Sequence, residues 1–173
     1  MKQPTLTTPR LFLRRLKDTD DVSIFSIRSN DEVNKYIGRP KQTSIEEARA
    51  HIERIKNGVA EGKSFYWGIA LKDEPGIIGT VCFWNLSADG KTAELGYELH
   101  PEFQGKGYMQ EAIQAVIDFG FQTAGFSLLE AFTHRGNQAS AKLLRKFGFV
   151  LNPERKDPDV EHNIIFELTR QPG

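Results

Sequence analysis

The chain has 173 residues, a length that fits one compact domain (residues 1–173) with its own hydrophobic core. Lys plus Arg and Asp plus Glu number 23 each, so the formal charge is zero. The basic excess of a broad nucleic-acid or anionic-membrane surface is therefore missing, and neither partner is expected. A lone cysteine, Cys82, excludes an intrachain disulfide framework and reads as a buried core thiol on a strand.

Residues 1–10 lack the apolar run of a secretion signal, and no stretch is long and apolar enough to span a bilayer. A soluble cytoplasmic protein, monomer or homodimer, is the expectation, and nothing in the pattern asks for a metal. Arg10 to Leu16 alternates as a first strand. Asp18, Thr19 and Asp20 are candidate caps for a short helix through Val22, Phe25 and Ile27. Asp31 to Ile37 predicts another helical turn before Gly38-Arg39-Pro40. Ser44 and Glu47 form an S-x-x-E capping box, and Ala48, Ile52 and Ile55 recur at helical spacing, so a helix runs from Ile45 to about Gly58.

Phe65, Trp67, Ile69 and Leu71 then alternate as a strand, a turn follows at Asp73 to Gly76, and Ile77 to Leu86 predicts the next strand. After Asp89-Gly90, Thr92 to Leu99 completes an antiparallel meander. Ala93, Leu95, Tyr97 and Leu99 share one face of it, and Glu94, Gly96 and Glu98 the other. From Gly107 the period becomes helical, through Met109, Ala112, Ile113 and Val116, and ends near Gly125. Leu128 to Thr133 reads as a strand, Ala139 to Lys146 as a helix, Phe147-Gly148-Phe149 as the opening of a strand and Asn163 to Leu168 as the last one. The order specifies an α+β domain with a mixed sheet.

The segment from Leu99 through His100 and Gln104-Gly105-Lys106-Gly107-Tyr108-Met109 carries the chemistry. A strand ends, a glycine-rich loop follows and a helix begins. The first N–H groups of a helix lack intrahelical partners and the helix dipole adds partial positive charge there. Glycines at 105 and 107 clear side chains from those donors, which suits a phosphate or pyrophosphate. The loop is neither G-x-x-x-x-G-K-[ST] nor G-x-G-x-x-G after a first strand, which disfavours a nucleotide or dinucleotide ligand. A strand-to-helix turn without a ligand is the alternative that the loop alone leaves open.

Gln104 to Met109 resembles the Q/R-x-x-G-x-G/A pyrophosphate loop of the GNAT acetyltransferase superfamily. Glu94 to Pro101 resembles the strand before it. Asn137-Gln138-Ala139-Ser140, with Leu143-Leu144 and Phe147-Gly148-Phe149, resembles the N-x-x-S/A…GF segment of that superfamily. Pro9 to Arg14 is similar to the first strand of the ribosomal-protein-alanine/serine N-acetyltransferase branch. Two positions depart from the pattern: Met109 replaces the last small residue of the loop, and Leu144 stands where many members carry an acidic-proton-donating tyrosine.

The resemblance implies a mixed, mostly antiparallel sheet with helices on both faces and a splayed central cleft. It implies acetyl-CoA as co-substrate, with backbone groups at Leu99 and His100 on the pantetheine and acetyl carbonyl. N–H groups from Gln104, Gly105, Lys106, Gly107, Tyr108 and Met109 would hold the pyrophosphate, and Asn137 the pantetheine arm. Glu94 and Glu98 are the candidate general bases, with His134 and Glu161 as further options, and Ser140 is the candidate acid. Each glutamate also reads as a solvated or ion-paired strand residue, and Ser140 as a helix-start hydroxyl. Trp84 or Tyr97 would line the acceptor pocket if not core. The implied activity is acetyl transfer to a primary amine, first a protein N-terminal amine, with a small-molecule amine (antibiotic, polyamine or amino acid) second. A non-catalytic CoA-binding module and a nucleotide-phosphate binder are the competing classes.

Overall fold

The computed structural model describes residues 2–172; the two end residues of the expected 1–173 domain lie outside it. Strands β1 (Leu6–Thr7) and β2 (Leu11–Arg14) lead into a 3-10 turn (Asp18–Asp20) and helices α1 (Asp21–Arg28), α2 (Asp31–Asn34) and α3 (Ile45–Ala60). The meander β3 (Phe65–Leu71), β4 (Gly79–Trp84) and β5 (Thr92–Leu99) follows. A second 3-10 turn (Pro101–Phe103) precedes α4 (Tyr108–Gln122), β6 (Leu128–His134), α5 (Gln138–Lys146), β7 (Val150–Leu151) and β8 (Asn163–Thr169). The eight strands form one open sheet in the order β1-β2-β3-β4-β5-β6-β8-β7, and helices cover both faces.

Alternation sets the two faces. Leu11, Leu13, Trp67, Ile69, Val81, Phe83 and Leu95 pack beneath α4 together with Ala112, Ile113 and Val116. Trp67 is fully buried and meets Phe83 and Phe119 edge-on. Tyr66, Ala70 and Ile77 face the other way, against Ile24, Ala48 and Ile52 of α1 and α3. Cys82 packs at the edge of this second cluster and is partly rather than fully buried.

Several sequence expectations are corrected in detail. The short β1 was not foreseen; it pairs Leu6 with Leu13. Asp20 does not cap α1 with its side chain: its buried carboxylate takes a bidentate pair from Arg14 at 2.9 and 2.8 Å and the Lys17 N–H at 2.7 Å. Ser44 accepts from the Glu47 N–H at 3.3 Å, but the Glu47 carboxylate turns to Thr43 instead of closing the box on Ser44. α2 stops at Asn34, short of Ile37. β4 is shorter at both ends than Ile77 to Leu86, and Asn85, at φ 49°, breaks it. No helix of the described residues is long and apolar enough to cross a membrane.

What positions the site is the join between the two halves of the sheet. β5 and β6 run parallel, with Thr92, Ala93 and Glu94 opposite Leu128, Leu129 and Glu130. Past that register β6 stays with β8, while the rest of β5, Leu95 to Leu99, stays with β4. The strands diverge and leave one edge of β5 open. Backbone N–H and C=O groups on such an edge are a ready hydrogen-bonding template for an extended ligand.

Candidate active site

The loop that closes the open edge of β5 is built from backbone. His100 Nδ1 accepts from the Glu102 N–H at 3.2 Å, and Gln104 Nε2 donates to the Leu99 carbonyl at 3.0 Å, so the two residues tie the turn to the strand end. Gly105 and Gly107 take φ of 77° and 81°, a region that side chains rarely tolerate. Gly107 is the N-cap of α4 and supplies no side-chain cap, leaving the first-turn N–H groups facing outward. A Cβ on Gly105 would meet nothing within 4 Å, so the approach is open. Met109 is buried in the core beneath the sheet, and Lys106 is exposed with its ammonium 5.8 Å from the Phe103 ring.

Arg10 is part of this loop, a connection the sequence did not reveal. Its Nη1 donates to the Lys106 carbonyl at 3.0 Å, its Nε pairs with Glu111 at 2.8 Å, and its guanidinium lies 4.4 Å from the Tyr108 ring centre. It braces the loop, with its charge matched by Glu111.

Across the cleft, Asn137 caps α5 by accepting from the Ser140 N–H at 3.1 Å, which commits its side-chain oxygen. Ser140 Oγ lies 2.5 Å from Tyr97 Oη, so a hydroxyl pair joins α5 to the splayed part of β5. Burial pushes the Tyr97 phenol up to about 12 against the opposing effect of that bond, and it stays protonated. Leu144 is fully buried and has no polar group to offer.

On the opposite face of β5 stand the two glutamates. Glu94 is buried, with Asn85 Nδ2 at 3.4 Å its one side-chain partner among the described residues. Burial pushes its carboxyl up to about 7; Asn85 opposes that, and Glu130 and Asp157 reinforce it. Glu98 is as buried but receives Arg39 Nη2 at 2.6 Å, Arg28 Nη1 at 3.2 Å and Thr80 Oγ1 at 3.4 Å. Burial alone would raise it; Arg39 and Arg28 outweigh burial and hold it below the usual carboxylate range. Between them, the Trp84 indole lies against Gly96, where a Cβ would come 3.4 Å from its Nε1, and Trp84 is 48% exposed.

His134 sits at the end of β6, packed between Tyr36 and His162 at ring distances of 5.1 and 5.4 Å, and its Nδ1 accepts from the Gly136 N–H. Glu161 is exposed in the turn before β8. The structure thus gathers Glu94, Glu98, Ser140 and the Gln104–Met109 loop around the divergence of β5 and β6, and leaves Glu161 at the surface. Arg28 and Arg39 went unnoticed in the sequence because they reach Glu98 from 70 and 59 residues away. Among the described residues no group of three or more His, Cys, Asp or Glu side chains is arranged to hold a metal ion.

Comparison with known proteins identifies the family. Residues 10–150 match the acetyltransferase (GNAT) domain family. The chain is 39% identical over 146 residues to the uncharacterized N-acetyltransferase YoaA of Bacillus subtilis (strain 168), covering 84% of this chain and 82% of that protein. It is 29% identical over 160 residues to the [ribosomal protein uS5]-alanine N-acetyltransferase of Escherichia coli (strain K12), covering 88% and 81%. The fold superposes on RimL, the ribosomal L7/L12 alpha-N-protein acetyltransferase in complex with coenzyme A, with a TM-score of 0.83 at 19% identity, over 96% of this chain and 98% of that one. The chain belongs to the GNAT family and is an acyltransferase of the N-acetyltransferase type.

Proposed function

We propose that the protein transfers the acetyl group of acetyl-CoA to a primary amine, with the N-terminal amine of a protein as the favoured acceptor. One observation carries the reading. A buried carboxylate with an affinity for protons near neutrality, Glu94, stands at the point where β5 parts from β6. The similarity to the uS5-alanine enzyme supports a protein N-terminus as acceptor.

The residues fit acetyl-CoA. The N–H groups of residues 105–109 have no backbone acceptor among the described residues and suit a pyrophosphate, whereas the Gln104 N–H, expected to join them, is spent on the Pro101 carbonyl at 3.2 Å. The open edge of β5 up to Leu99 offers backbone partners to the pantetheine and the acetyl carbonyl, but His100 does not, because its N–H donates to the Ile78 carbonyl and its carbonyl accepts from the Phe103 N–H. The Asn137 side-chain nitrogen remains for the pantetheine arm. Glu94 takes a proton from the ammonium, directly or through water, and frees the amine lone pair. The amine forms a C–N bond to the thioester carbonyl, whose oxygen takes negative charge and is stabilised by backbone N–H donors of β5. The C–S bond breaks, the thiolate takes a proton from the Ser140 hydroxyl, which is coupled to Tyr97, and the acetylated nitrogen sheds its second proton to restore the serine, directly or through water. Glu98, held as an anion by two arginines, is the weaker candidate for base.

The test is calorimetric titration with acetyl-CoA, CoA and ATP, followed by turnover on peptides with free N-termini, polyamines and aminoglycosides. The expected result is binding of acetyl-CoA and CoA over ATP, and transfer to free N-termini. Gly107→Val should weaken CoA at least tenfold, about 1.4 kcal/mol, because a β-branched residue resists φ of 81°. Binding without transfer to any amine would leave a CoA-binding module instead.

A further inference from the structure

Three buried side-chain polar atoms of the described residues lack a hydrogen-bond partner: Arg28 Nε, Gln42 Oε1 and His51 Nε2. Two links tie their residues to Arg28. The Gln42 N–H donates to the Arg28 carbonyl at 3.1 Å, and the charge of Arg28 is, after burial, the main cause that holds the His51 imidazole down at about 4. Of the three, Arg28 Nε is the cationic donor, and it belongs to a guanidinium whose one side-chain bond runs to Glu98, so that arginine is not fully used by its partner. The charges there do not cancel. Arg28 and Arg39 converge on the single carboxylate of Glu98, and His51 is neutral, which leaves one positive charge in excess.

The guanidinium donors are also under-used. Arg28 directs one side-chain hydrogen bond, to Glu98, and Arg39 two, to Asn34 Oδ1 at 3.0 Å and to Glu98. Each guanidinium carries five N–H donors. The side chains of Arg28 and Arg39 keep 15% and 25% exposure, so unused donors remain within reach. Their position bears on the reaction. Glu98 lies on the splayed part of β5, four residues past Glu94 and two past Gly96 and its Trp84 cover. Tyr36, three residues before Arg39, crosses to pack on His134 at the end of β6. The arginines therefore line the acceptor wall of the cleft, roughly 7 Å along the strand from Gly96 at about 3.3 Å per residue.

We propose that Arg28 and Arg39 form an anion subsite, so that the acceptor carries a carboxylate within about one residue of its reactive amine. The idea rests on the transferase reading above and refines its substrate class. A guanidinium fork matches a carboxylate in geometry as well as in charge. Two sources supply that chemistry: an acidic side chain at the second or third position of a protein N-terminus, or the carboxylate of a free amino acid.

The experiment compares matched acceptors in the full-length protein with saturating acetyl-CoA. One arm uses peptides with Asp or Glu at position two or three against their Asn, Gln and Lys counterparts. The other uses free amino acids against their amides. At least a tenfold preference in kcat/KM for the carboxylate member in one arm is expected, and that arm identifies the source. Arg39→Gln should abolish the preference chiefly through KM, while Arg39→Lys keeps the charge and retains part of it. Binding is read separately: N-acetylated acidic and neutral products are titrated into the CoA complex, with no turnover needed. Tighter binding of the acidic product, reduced tenfold in Arg39→Gln, supports the subsite even if no acceptor is turned over. Equal use and equal binding of charged and uncharged members, or a preference that survives Arg39→Gln, overturns it.

Discussion

Glu94 and Glu98 share one strand, one face and the same degree of burial, yet the protein treats them in opposite ways. Glu98 has two guanidinium partners and remains an anion; Glu94 has one weak amide partner, two neighbouring carboxylates and an affinity for protons near pH 7. Burial raises both, so burial does not distinguish them; the neighbours do. A buried carboxylate neutralised by arginine is a poor proton acceptor and a good fastening between helix and sheet. One left without a cation is costly to ionise and suited to take a proton at neutral pH.

The largest expected effect belongs to the fastening. Glu98→Gln leaves Arg28 and Arg39, whose side chains are 15% and 25% exposed, without their counter-charge, which should cost about 3 kcal/mol of stability, the low end for breaking a buried ion pair. Urea denaturation at pH 7 measures it. A loss below 1 kcal/mol would mean that the arginines find other partners and that Glu98 is free for chemistry, which would erase the contrast.

Glu94→Gln should act in the opposite sense on stability and in the damaging sense on catalysis. Turnover should fall about 100-fold, with acetyl-CoA affinity unchanged within about twofold. The wild-type rate should rise with pH through about 7, where Glu94 gives up its proton, and the variant should lose that rise. The sign for stability follows from proton binding. Folded Glu94 holds its proton to about 7, above its ordinary value of 4.5, so wild type loses stability as pH climbs through that window. Glutamine carries no charge to bury, and the variant should be more stable at pH 8 by on the order of 2 kcal/mol, with the advantage gone below pH 4. A variant both active and no more stable would remove Glu94 from the role of base.

How much of this was legible beforehand follows the range of the interactions. The meander, α4 and the glycine loop were readable because periodicity and turn residues are local signals; the glycines at 105 and 107 were read as clearing side chains from the loop donors, and their left-handed conformation adds a second reason for them. The pairing of Glu94 and Glu98 on one face followed from the two-residue period of a strand. Their different chemistry did not, because Arg28 and Arg39 arrive from distant helical and loop segments. Arg10 was visible as a strand residue but not as a brace for residue 106, ninety-six positions away. The short β1 and β7 were hard to bound because two-residue strands take their stability from partners rather than from their own pattern.

The smallest effect tests the other face of β5, where Tyr97 and Ser140 meet. If this pair is only a fastening between α5 and the strand, Ser140→Ala and Tyr97→Phe should each cost about 1 kcal/mol of stability and lower turnover alike. If Ser140 donates the proton to the departing thiolate, the two variants should separate. Ser140→Ala should lower kcat about tenfold, or ~1.4 kcal/mol of barrier, since a thiolate leaves well without much help. Tyr97→Phe keeps the serine hydroxyl and should lower kcat by less. Single-turnover rates decide between the two, because they isolate the chemical step from CoA release. Equal losses would assign the hydroxyl pair to structure, and the catalytic asymmetry of the strand would then rest on Glu94 alone.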